Sequence, residues 1–304
     1  MMKIFSKPRR WAIVFSFLLI FAFSYVLLDT FVIPKSLTTV DTKSAIASTA
    51  TAASSAQGDA TVSKTSYEDE NIKINIETIR KYDTTYYVAD IQLADASYLQ
   101  TALADNTYGR NLKETTSDMA EANDAIFAIN GDYYGFRDSG YVLRNGTIYR
   151  DTARSGETNE DLVIGKNGDF SIISEDQTSL DSLNTDDIWQ ILSFGPALIE
   201  DGEIAVDSSS EVSQSKNSNP RTAIGQISEL HYVVIVSDGR TSKSEGLSLL
   251  ELAQEFESRG CTTAYNLDGG GSSTMYFNGN IINNPTDGRS SGERKVSDIV
   301  YIGY

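Results

Sequence analysis

The sequence has little cysteine and little histidine, since Cys261 and His231 are the single representatives of their types. One cysteine excludes an intrachain disulfide and any cluster of thiolate metal ligands. One histidine excludes Ser-His-Asp and Cys-His catalysis unless His231 is itself the base. His231 stands in an apolar, strand-like run over residues 230–236, so we expect it at a core or edge position of a sheet.

Positive charge is also scarce. The chain has 25 Lys and Arg against 42 Asp and Glu, a formal net charge of −17. Residues 1–35 hold five of the basic residues and one acidic residue, which leaves 20 basic and 41 acidic residues for the rest of the chain. This acidity argues against nucleic acid or an anionic bilayer surface as a partner, because like charges repel. Its simplest consequence is solubility.

One apolar run is long enough to cross a membrane. It covers residues 11–33, in which Asp29 is the one charged residue, and a helix of this length spans a bilayer core of about 30 Å. Four basic residues precede the run: Lys3, Lys7, Arg9 and Arg10. The positive-inside rule therefore predicts a cytoplasmic tail over residues 1–10 and a transmembrane anchor over residues 11–33.

A cleaved signal peptide is the alternative interpretation of this run, because the small residues of Ser44-Ala45-Ile46-Ala47 would suit a peptidase. The run exceeds the roughly 7–15 residues of a usual signal-peptide core, which favours a retained signal-anchor. Both interpretations place the remaining chain outside the cytoplasm, so we expect a single-pass protein of the cell membrane. An exported chain without disulfides is typical of a Gram-positive or similar bacterial surface.

The folded part is expected to follow a spacer. Residues 34–66 are rich in Ser, Thr and Ala and predict a disordered segment, which leaves residues 67–304 as the folded domain. Within it, residues 72–77 alternate between apolar and polar side chains with period two, and residues 125–129 form a continuous apolar run. The first pattern predicts a half-buried strand and the second a strand buried on both faces.

Helix signals are few. Ser248 and Glu251 have the capping-box spacing ahead of an apolar stripe and predict a well-defined helix. Asp118 and Glu121 have the same spacing and predict a short helix through about Asn123. Because strands dominate, the predicted fold class is α+β, with a mixed or antiparallel sheet core and few helices.

Polar side chains follow four predicted strands at the points where these end: Asn130 and Asp132, Arg221, Asp238 and Arg240, and Asn266 and Asp268. Three carboxylates and two guanidiniums at one edge would suit a phosphate-containing substrate, because Arg binds phosphate bidentately. A pair of carboxylates is also what glycoside cleavage requires. The alternative is that Asp-Gly pairs simply form turns with exposed carboxylates, and this is our interpretation of Asp201.

A glycine run is the most distinctive segment of the chain. Gly269, Gly270 and Gly271 follow Asp268 directly and lead to Ser272 and Ser273. Adjacent glycines allow the backbone to approach a ligand closely, so its N–H groups are expected to form a nest for an anion or a sugar hydroxyl. A loose hairpin connection is the alternative. The spacing is neither that of a P-loop nor that of a dinucleotide fold, and no Lys follows the glycines.

Four motifs occur in an order that is recognisable: Ala128-Ile129-Asn130-Gly131-Asp132-Tyr133-Tyr134, Asn219-Pro220-Arg221-Thr222-Ala223-Ile224-Gly225, Val236-Ser237-Asp238-Gly239-Arg240 and Asn266-Leu267-Asp268-Gly269-Gly270-Gly271-Ser272-Ser273-Thr274. On these motifs the chain resembles the phosphodiester glycosidase family over residues 71–304. It looks especially like the bacterial membrane-anchored members, which are often labelled exopolysaccharide biosynthesis proteins. The resemblance implies hydrolysis of a sugar-1-phosphodiester at the C1–O bond, with release of the sugar and a phosphomonoester.

The resemblance also suggests roles. The residues that match the polar positions of the family motifs are Asp132, Arg221, Asp238 and Asp268, and the glycines match the family signature. We expect Arg221 and Arg240 to bind the phosphate, and Asp132 or Asp268 to act as base or nucleophile at C1. The remaining expected substrate contacts are Asn130, Asn266 and the run from Gly269 through Gly270, Gly271 and Ser272 to Ser273. No cofactor is expected, and the expected substrate is a phosphodiester-linked glycan of a wall or exopolysaccharide.

Two alternatives come from other function classes. A metal-dependent phosphodiesterase would use Asp132, Asp238 and Asp268 as oxygen ligands for Ca²⁺ or Mg²⁺. A non-catalytic glycan-binding surface protein would rely on aromatic side chains such as Tyr133 and Phe136. Such a protein would tolerate loss of the carboxylates, and their presence here counts against it.

Overall fold

The computed structural model describes residues 8–39, 60–156, 159–210, 218–288 and 290–304. The helices are α1 (Pro8–Phe31), α2 (Thr116–Ala122) and α3 (Leu249–Glu257). The strands are β1 (Lys35–Thr39), β2 (Thr61–Val62), β3 (Ser66–Glu68), β4 (Ile72–Lys81), β5 (Thr84–Leu93), β6 (Leu99–Leu103), β7 (Thr107–Arg110), β8 (Phe127–Asn130), β9 (Val142–Arg144), β10 (Thr147–Arg150), β11 (Glu160–Gly165), β12 (Phe170–Ser174), β13 (Ile188–Leu192), β14 (Ala197–Glu200), β15 (Glu203–Ile204), β16 (Thr222–Ser228), β17 (His231–Ser237), β18 (Thr263–Asn266), β19 (Met275–Phe277), β20 (Asn280–Ile281), β21 (Thr286–Asp287), β22 (Ser290–Ser291) and β23 (Asp298–Ile302).

Three large sheets and two two-stranded sheets, β1-β7 and β21-β22, are present in the described residues. The largest has nine strands in the order β15-β14-β18-β16-β17-β5-β4-β3-β2, and two five-stranded sheets have the orders β20-β19-β8-β23-β6 and β10-β9-β13-β11-β12. All strand pairs in the described ranges are antiparallel. The α+β class predicted from the sequence is therefore confirmed, in its antiparallel form.

The main core lies between the sheets, α3 covers the outer face of the nine-stranded sheet, and α2 covers that of the sheet that contains β8. Along β17, Val234 and Val236 belong to the main core, whereas Val233 and Ile235 pack with Leu252 and the rest of α3. Successive strand residues point to opposite faces, so the continuous apolar run is what a strand covered on both sides requires. Strand β8 behaves in the same way and packs α2 on its outer face.

The helix predictions are correct for α3 and slightly displaced for α2. Ser248 Oγ accepts a hydrogen bond from Glu251 N, and the Glu251 carboxylate accepts one from Ser248 N, which completes the capping box. Helix α2 begins earlier than expected, because Thr115 provides the cap and its hydroxyl accepts from Asp118 N. A threonine hydroxyl three residues ahead fulfils the capping role that the sequence pattern assigned to Asp118.

The predicted spacer over residues 34–66 differs from the structure at both ends. Lys35–Thr39 forms β1 and pairs with β7, and Thr61–Val62 forms β2 and pairs with β3. An edge strand needs main-chain hydrogen bonds rather than large apolar side chains, so composition alone did not reveal these strands. The part of the spacer over residues 40–59, like residues 1–7 of the predicted tail, lies outside the described residues.

Within the described residues, one helix is long and apolar enough to cross a membrane, over Arg10–Phe31. None of this helix is buried in protein, and its large side chains are exposed. It fits a signal or anchor segment by length and composition.

Candidate active site

A cavity of about 260 Å³ opens where β8 and β18 end. Its lining combines acidic, basic and aromatic side chains: Lys113, Asp132, Tyr133, Phe136, Asp268, Ser272, Asp287, Arg294, Lys295, Val296 and Ser297. Of the residues predicted from the sequence, the structure brings Asp132, Asp268 and Ser272 together around this cavity.

Asn130 joins the two strand ends from which the cavity is built. Its side chain is completely buried, its Nδ2 donates to the main-chain oxygen of Asp268 (2.6 Å), and its Oδ1 accepts from Thr222 Oγ1 (2.8 Å) and Thr274 N (3.2 Å). Because both Nδ2 and Oδ1 of its side-chain amide are hydrogen-bonded to neighbouring segments, Asn130 holds the glycine run against β8. The structure places it behind the cavity wall rather than in the cavity.

Asp132 is held rigidly from several sides. Its Oδ1 accepts from Tyr134 N (2.9 Å), and its Oδ2 accepts from Ser193 N (2.8 Å) and from Arg144 Nη2 (2.8 Å). Nη2 of Arg144 also donates to Asp298 Oδ2 (2.9 Å). Two buried carboxylates therefore share one buried guanidinium, and one of them, Asp132, lies at the floor of the cavity.

The pair of carboxylates affects the titration of Asp298. Burial, together with repulsion from Asp132, raises the pKa of Asp298 well above its ordinary value, against the opposing charge of Arg144. Gly131 is required beside this pair, since a Cβ there would lie 2.5 Å from Asp298 Cγ. The Gly131-Asp132 dipeptide thus owes its first residue to the close approach of the last strand.

Asp268 has a different environment. It is half-buried and borders the cavity directly. Protein atoms on its other sides desolvate it and raise its pKa to about 6, although a hydrogen bond from Ser272 and the charge of Arg294 partly oppose this. A carboxyl group that titrates near neutral pH in a cavity is typical of acid–base and nucleophilic catalysis.

The glycine run gives room to two guanidiniums. A Cβ at Gly270, where φ is +63°, would lie 2.7 Å from Arg240 Nη2, and a Cβ at Gly271 would lie 2.7 Å from both Arg294 Nη2 and Asp287 Oδ1. Both arginines therefore depend on the absence of side chains in the run.

The N–H groups of this run point elsewhere than predicted. Gly270 N donates to the Pro220 carbonyl (2.8 Å), and the N–H groups of Ser272 and Ser273 donate to carbonyls within the run itself. The run folds into a 3₁₀ turn over Gly270–Ser272, which uses these donors internally. The predicted main-chain anion nest is therefore wrong for these three groups, and guanidinium groups occupy its surroundings instead.

Three predicted residues contribute to the scaffold of the site. Arg221 is 2% exposed, and its Nε donates to the Leu247 carbonyl (2.9 Å). Asp238 accepts from Asn284 N (2.7 Å) and Asn284 Nδ2 (2.9 Å), and burial raises its pKa. Asn266 Nδ2 donates to the Gly195 carbonyl (2.8 Å). None of them is among the residues that line the cavity in the described part of the chain.

Asp238 acts on the site through Asn284. This hydrogen-bonded pair holds the loop that continues into β21, and β21 carries Asp287 of the cavity rim. Arg240 also lies near the site, with its Nε bonded to Asn219 Oδ1 (3.1 Å), and Ser273 is buried beneath the turn.

The cavity rim carries cations that sequence reasoning did not assign to phosphate binding, together with two aromatic side chains. Arg294 pairs with Asp287 (2.6 Å), and both side chains are 42% exposed, at the cavity rim with Lys113 and Lys295. The ring of Tyr133 stacks on that of Phe136 at a centroid distance of 4.7 Å.

Two signals in the sequence could have indicated the residues that sequence reasoning missed. The pair of basic residues at 294 and 295, in an otherwise acidic chain, indicates the cavity rim. A lone charge in each of two apolar strands, Arg144 and Asp298, indicates the buried ion pair.

The three carboxylates that the metal alternative needs do not converge. Asp238 is bonded to Asn284, whereas Asp132 and Asp268 line the cavity. Across the described ranges, no group of three or more His, Cys, Asp and Glu side chains is arranged to hold a metal ion.

Comparison with known proteins identifies relatives of this chain. The family model for phosphodiester glycosidases matches residues 123–303, more than half of the chain. The SPbeta prophage-derived uncharacterized protein YomE of Bacillus subtilis is 32% identical over 202 residues, which cover 65% of this chain and 31% of YomE. Mouse N-acetylglucosamine-1-phosphodiester alpha-N-acetylglucosaminidase is 29% identical over 211 residues, which cover 62% of this chain and 40% of the mouse protein. The match thus spans less than half the length of either relative.

The fold is shared with a solved structure. The zebrafish N-acetylglucosamine-1-phosphodiester alpha-N-acetylglucosaminidase catalytic domain, auto-inhibited by its pro-peptide, superposes with a TM-score of 0.62 at 22% sequence identity. The superposition covers 78% of this chain and 85% of the zebrafish chain. At this level of identity the likeness concerns the arrangement of the sheets.

Proposed function

Because the chain belongs to the phosphodiester glycosidase family, we propose that it hydrolyses the C1–O bond of a sugar-1-phosphodiester. Water adds to C1, the electrons of the broken bond leave with the phosphate oxygen, and the products are a free sugar and a phosphomonoester. The observation that carries this proposal is the cavity itself. It places Asp268, a carboxyl group with a pKa of about 6, beside the cations Arg294, Lys295 and Lys113.

The cations at the rim suit the phosphate. Arg294 is paired with Asp287, but both side chains are substantially exposed, so the pair contributes little to stability and can be exchanged for a phosphate at small cost. A guanidinium binds two phosphate oxygens at once, and Lys295 and Lys113 add point charges. Arg294 therefore replaces Arg221 as the proposed phosphate ligand, while Arg240 stays near it on the glycine run.

The carboxylates of Asp132 and Asp268 have different proposed roles. Both oxygens of Asp132 accept hydrogen bonds from protein groups, so this residue shapes the cavity floor. Asp268 is the proposed base or nucleophile at C1, since its ionised form is available above a pKa of about 6. The phosphate is a leaving group of low pKa, which lessens the need for a general acid. The stacked rings of Tyr133 and Phe136 offer a face for the sugar.

The proposed substrate is a GlcNAc-1-phosphodiester-like linkage in a surface glycan or exopolysaccharide, and the proposed location of the domain is extracytoplasmic. The observations behind the location are the apolar helix over Arg10–Phe31 and the basic residues that precede it. The names of the animal relatives support the proposed substrate class, and so does the proposed extracytoplasmic position of the domain. No cofactor is required by this chemistry.

Product analysis of the full chain in detergent tests the proposal. With the methyl phosphodiester of GlcNAc-1-phosphate, wild type should release free GlcNAc and methyl phosphate, and Asp268→Asn should not. The matched control is Asp201→Asn, which changes the same charge at an exposed Asp-Gly turn and should retain full turnover.

Three other outcomes of these assays would overturn the proposal. Sugar-1-phosphate would mean cleavage of the P–O bond, and turnover abolished by EDTA would favour the metal-dependent phosphodiesterase with Ca²⁺ or Mg²⁺. Glycan binding without hydrolysis of the phosphodiester would move the protein to the binding class.

A further inference from the structure

The apolar helix α1 is followed at once by a strand that pairs with the catalytic domain. Residues 32–34 alone separate its last residue, Phe31, from β1. The side chain of Asn111, a residue of the domain, donates to the carbonyls of Thr30 (3.2 Å) and Ile33 (3.1 Å). Thr30 is in the last turn of α1, whose carbonyl groups have no partner within the helix, and Ile33 lies two residues beyond the helix end. The domain therefore caps the helix directly.

Strand β1 is built into the domain by a fitted contact. It pairs with β7, with Lys35 opposite Arg110 and Ser36 opposite Gly109. A Cβ at Gly109 would lie 2.1 Å from the Lys35 carbonyl oxygen, a distance that no side chain permits. The domain thus carries a glycine at the point where the strand after the helix makes its closest approach.

The same segment leads into the cavity. The backbone N–H of Asn111 donates to the Gly135 carbonyl (3.0 Å), and Gly135 lies three residues after Asp132. Lys113, which lines the cavity, is two residues from Asn111 and thus at most about 7 Å away along the chain. The end of the apolar helix and the cavity wall are therefore joined through a single loop.

We propose that α1 is a retained membrane anchor and that β1 fixes the cavity at the bilayer surface, where it acts on a sugar-1-phosphodiester carried by a lipid in the same membrane. This inference rests on the proposed function. Cleavage within Ser44-Ala45-Ile46-Ala47 would separate the domain from α1 and β1 and leave the edge of β7 and Gly109 uncovered, whereas a retained helix leaves them paired. A domain that served distant soluble glycans would gain nothing from so short a connection, because a flexible spacer extends reach.

The test separates the anchor from the chemistry. The variant carries a flexible Gly/Ser insertion of about 12 residues between Ile33 and Pro34, which adds roughly 20 Å of reach and leaves β1 on β7. Wild type and variant are reconstituted in phosphatidylcholine vesicles and given either a lipid-linked GlcNAc phosphodiester in the same bilayer or the soluble methyl phosphodiester. The insertion should lower turnover of the lipid-linked substrate by about tenfold, because the effective concentration of the cavity at the surface falls. Turnover of the soluble substrate should be unchanged.

Equal turnover of the lipid-linked substrate by both proteins would overturn the inference and leave the proposed function intact. Failure of wild type on the soluble phosphodiester would instead remove the proposed function, and this inference with it. The intact mass of the protein purified from its membrane provides an independent measurement. It should include residues 1–39, and a product that begins after Ala47 would overturn the retained anchor.

Discussion

Asp132 and Arg144 form an ion pair of 2.8 Å whose side chains are 0% and 2% exposed. Neither residue can release the other to solvent, so the pair sets the geometry of the cavity floor before any substrate arrives. This leaves Asp268 as the carboxylate whose protonation can follow the reaction.

Removal of the shared cation should destabilise the fold strongly. Arg144→Met leaves Asp132 and Asp298 buried without their counter-charge, and breaking a buried pair from one side costs about 3–5 kcal/mol. Chemical denaturation of the detergent-solubilised chain should show this loss in the free energy of unfolding. Arg80→Met, at an exposed arginine that donates to the Lys243 carbonyl, should change it by less than about 0.5 kcal/mol. Similar losses in the two variants would contradict the role of Arg144.

The rate should rise with pH through the pKa of Asp268. If Asp268 acts as base or nucleophile, its ionised form is the active one, and kcat/KM should increase as pH passes through about 6. Asp268→Asn should abolish this limb of the profile together with most of the turnover. A rate that falls as pH rises through about 6 would instead assign Asp268 as a general acid.

The same carboxyl group should lower stability at neutral pH. Its pKa in the folded protein is about 6, above the ordinary value of 3.8, so folding favours its protonated form. This stabilisation is complete below the ordinary pKa and is lost as pH rises through about 6. Asp268→Asn, which cannot ionise, should therefore melt at a higher temperature than wild type at about pH 8 and at nearly the same temperature near pH 3.5. A melting temperature below that of wild type at pH 8 would contradict this sign.

Arg294 should control substrate binding. Arg294→Gln removes a charged donor from the rim, and a hydrogen bond to a charged group contributes about 1.5–3 kcal/mol, so KM for the phosphodiester should rise by roughly 10- to 100-fold. Steady-state kinetics measures this, and the KM of wild type should also increase with salt. Arg259→Gln is the control, because Arg259 pairs with Glu255 of α3 and Glu77 of β4 and is not among the residues that line the cavity. An unchanged KM in Arg294→Gln would exclude it as the phosphate ligand.

Two glycine substitutions should differ in kind. At Gly271 a methyl group would displace the partly exposed ends of Arg294 and Asp287, which can move, so Gly271→Ala should fold and mainly raise KM. At Gly131 it would meet the carboxylate of Asp298, which Arg144 holds in place, so Gly131→Ala should mainly lower the melting temperature. Parallel kinetics and thermal unfolding of the two variants distinguish these effects, and a shared phenotype would contradict the different mobility of the two neighbours.

Local patterns in the sequence were sufficient for several features of this protein. The two-sided burial of β8, the capping box of α3 and the membrane-length helix follow from residues close together in the chain, because hydrophobic period and helix caps are local properties. The positions of Asp132 and Asp268 at strand ends were accessible for the same reason, and both line the cavity.

Only the tertiary structure decided which charged side chains meet in and beneath the site. Arg144 and Asp298 are 154 residues apart, and their contact depends on how β9 and β23 are placed across two different sheets. Likewise, Arg294 lies against the glycine run, whereas Arg221 donates to the Leu247 carbonyl. The pairing of β1 with β7 is a further outcome of this kind. These outcomes depend on sheet order, on strand register and on the close approach that a glycine permits, and no pattern within a short stretch of sequence contains that information.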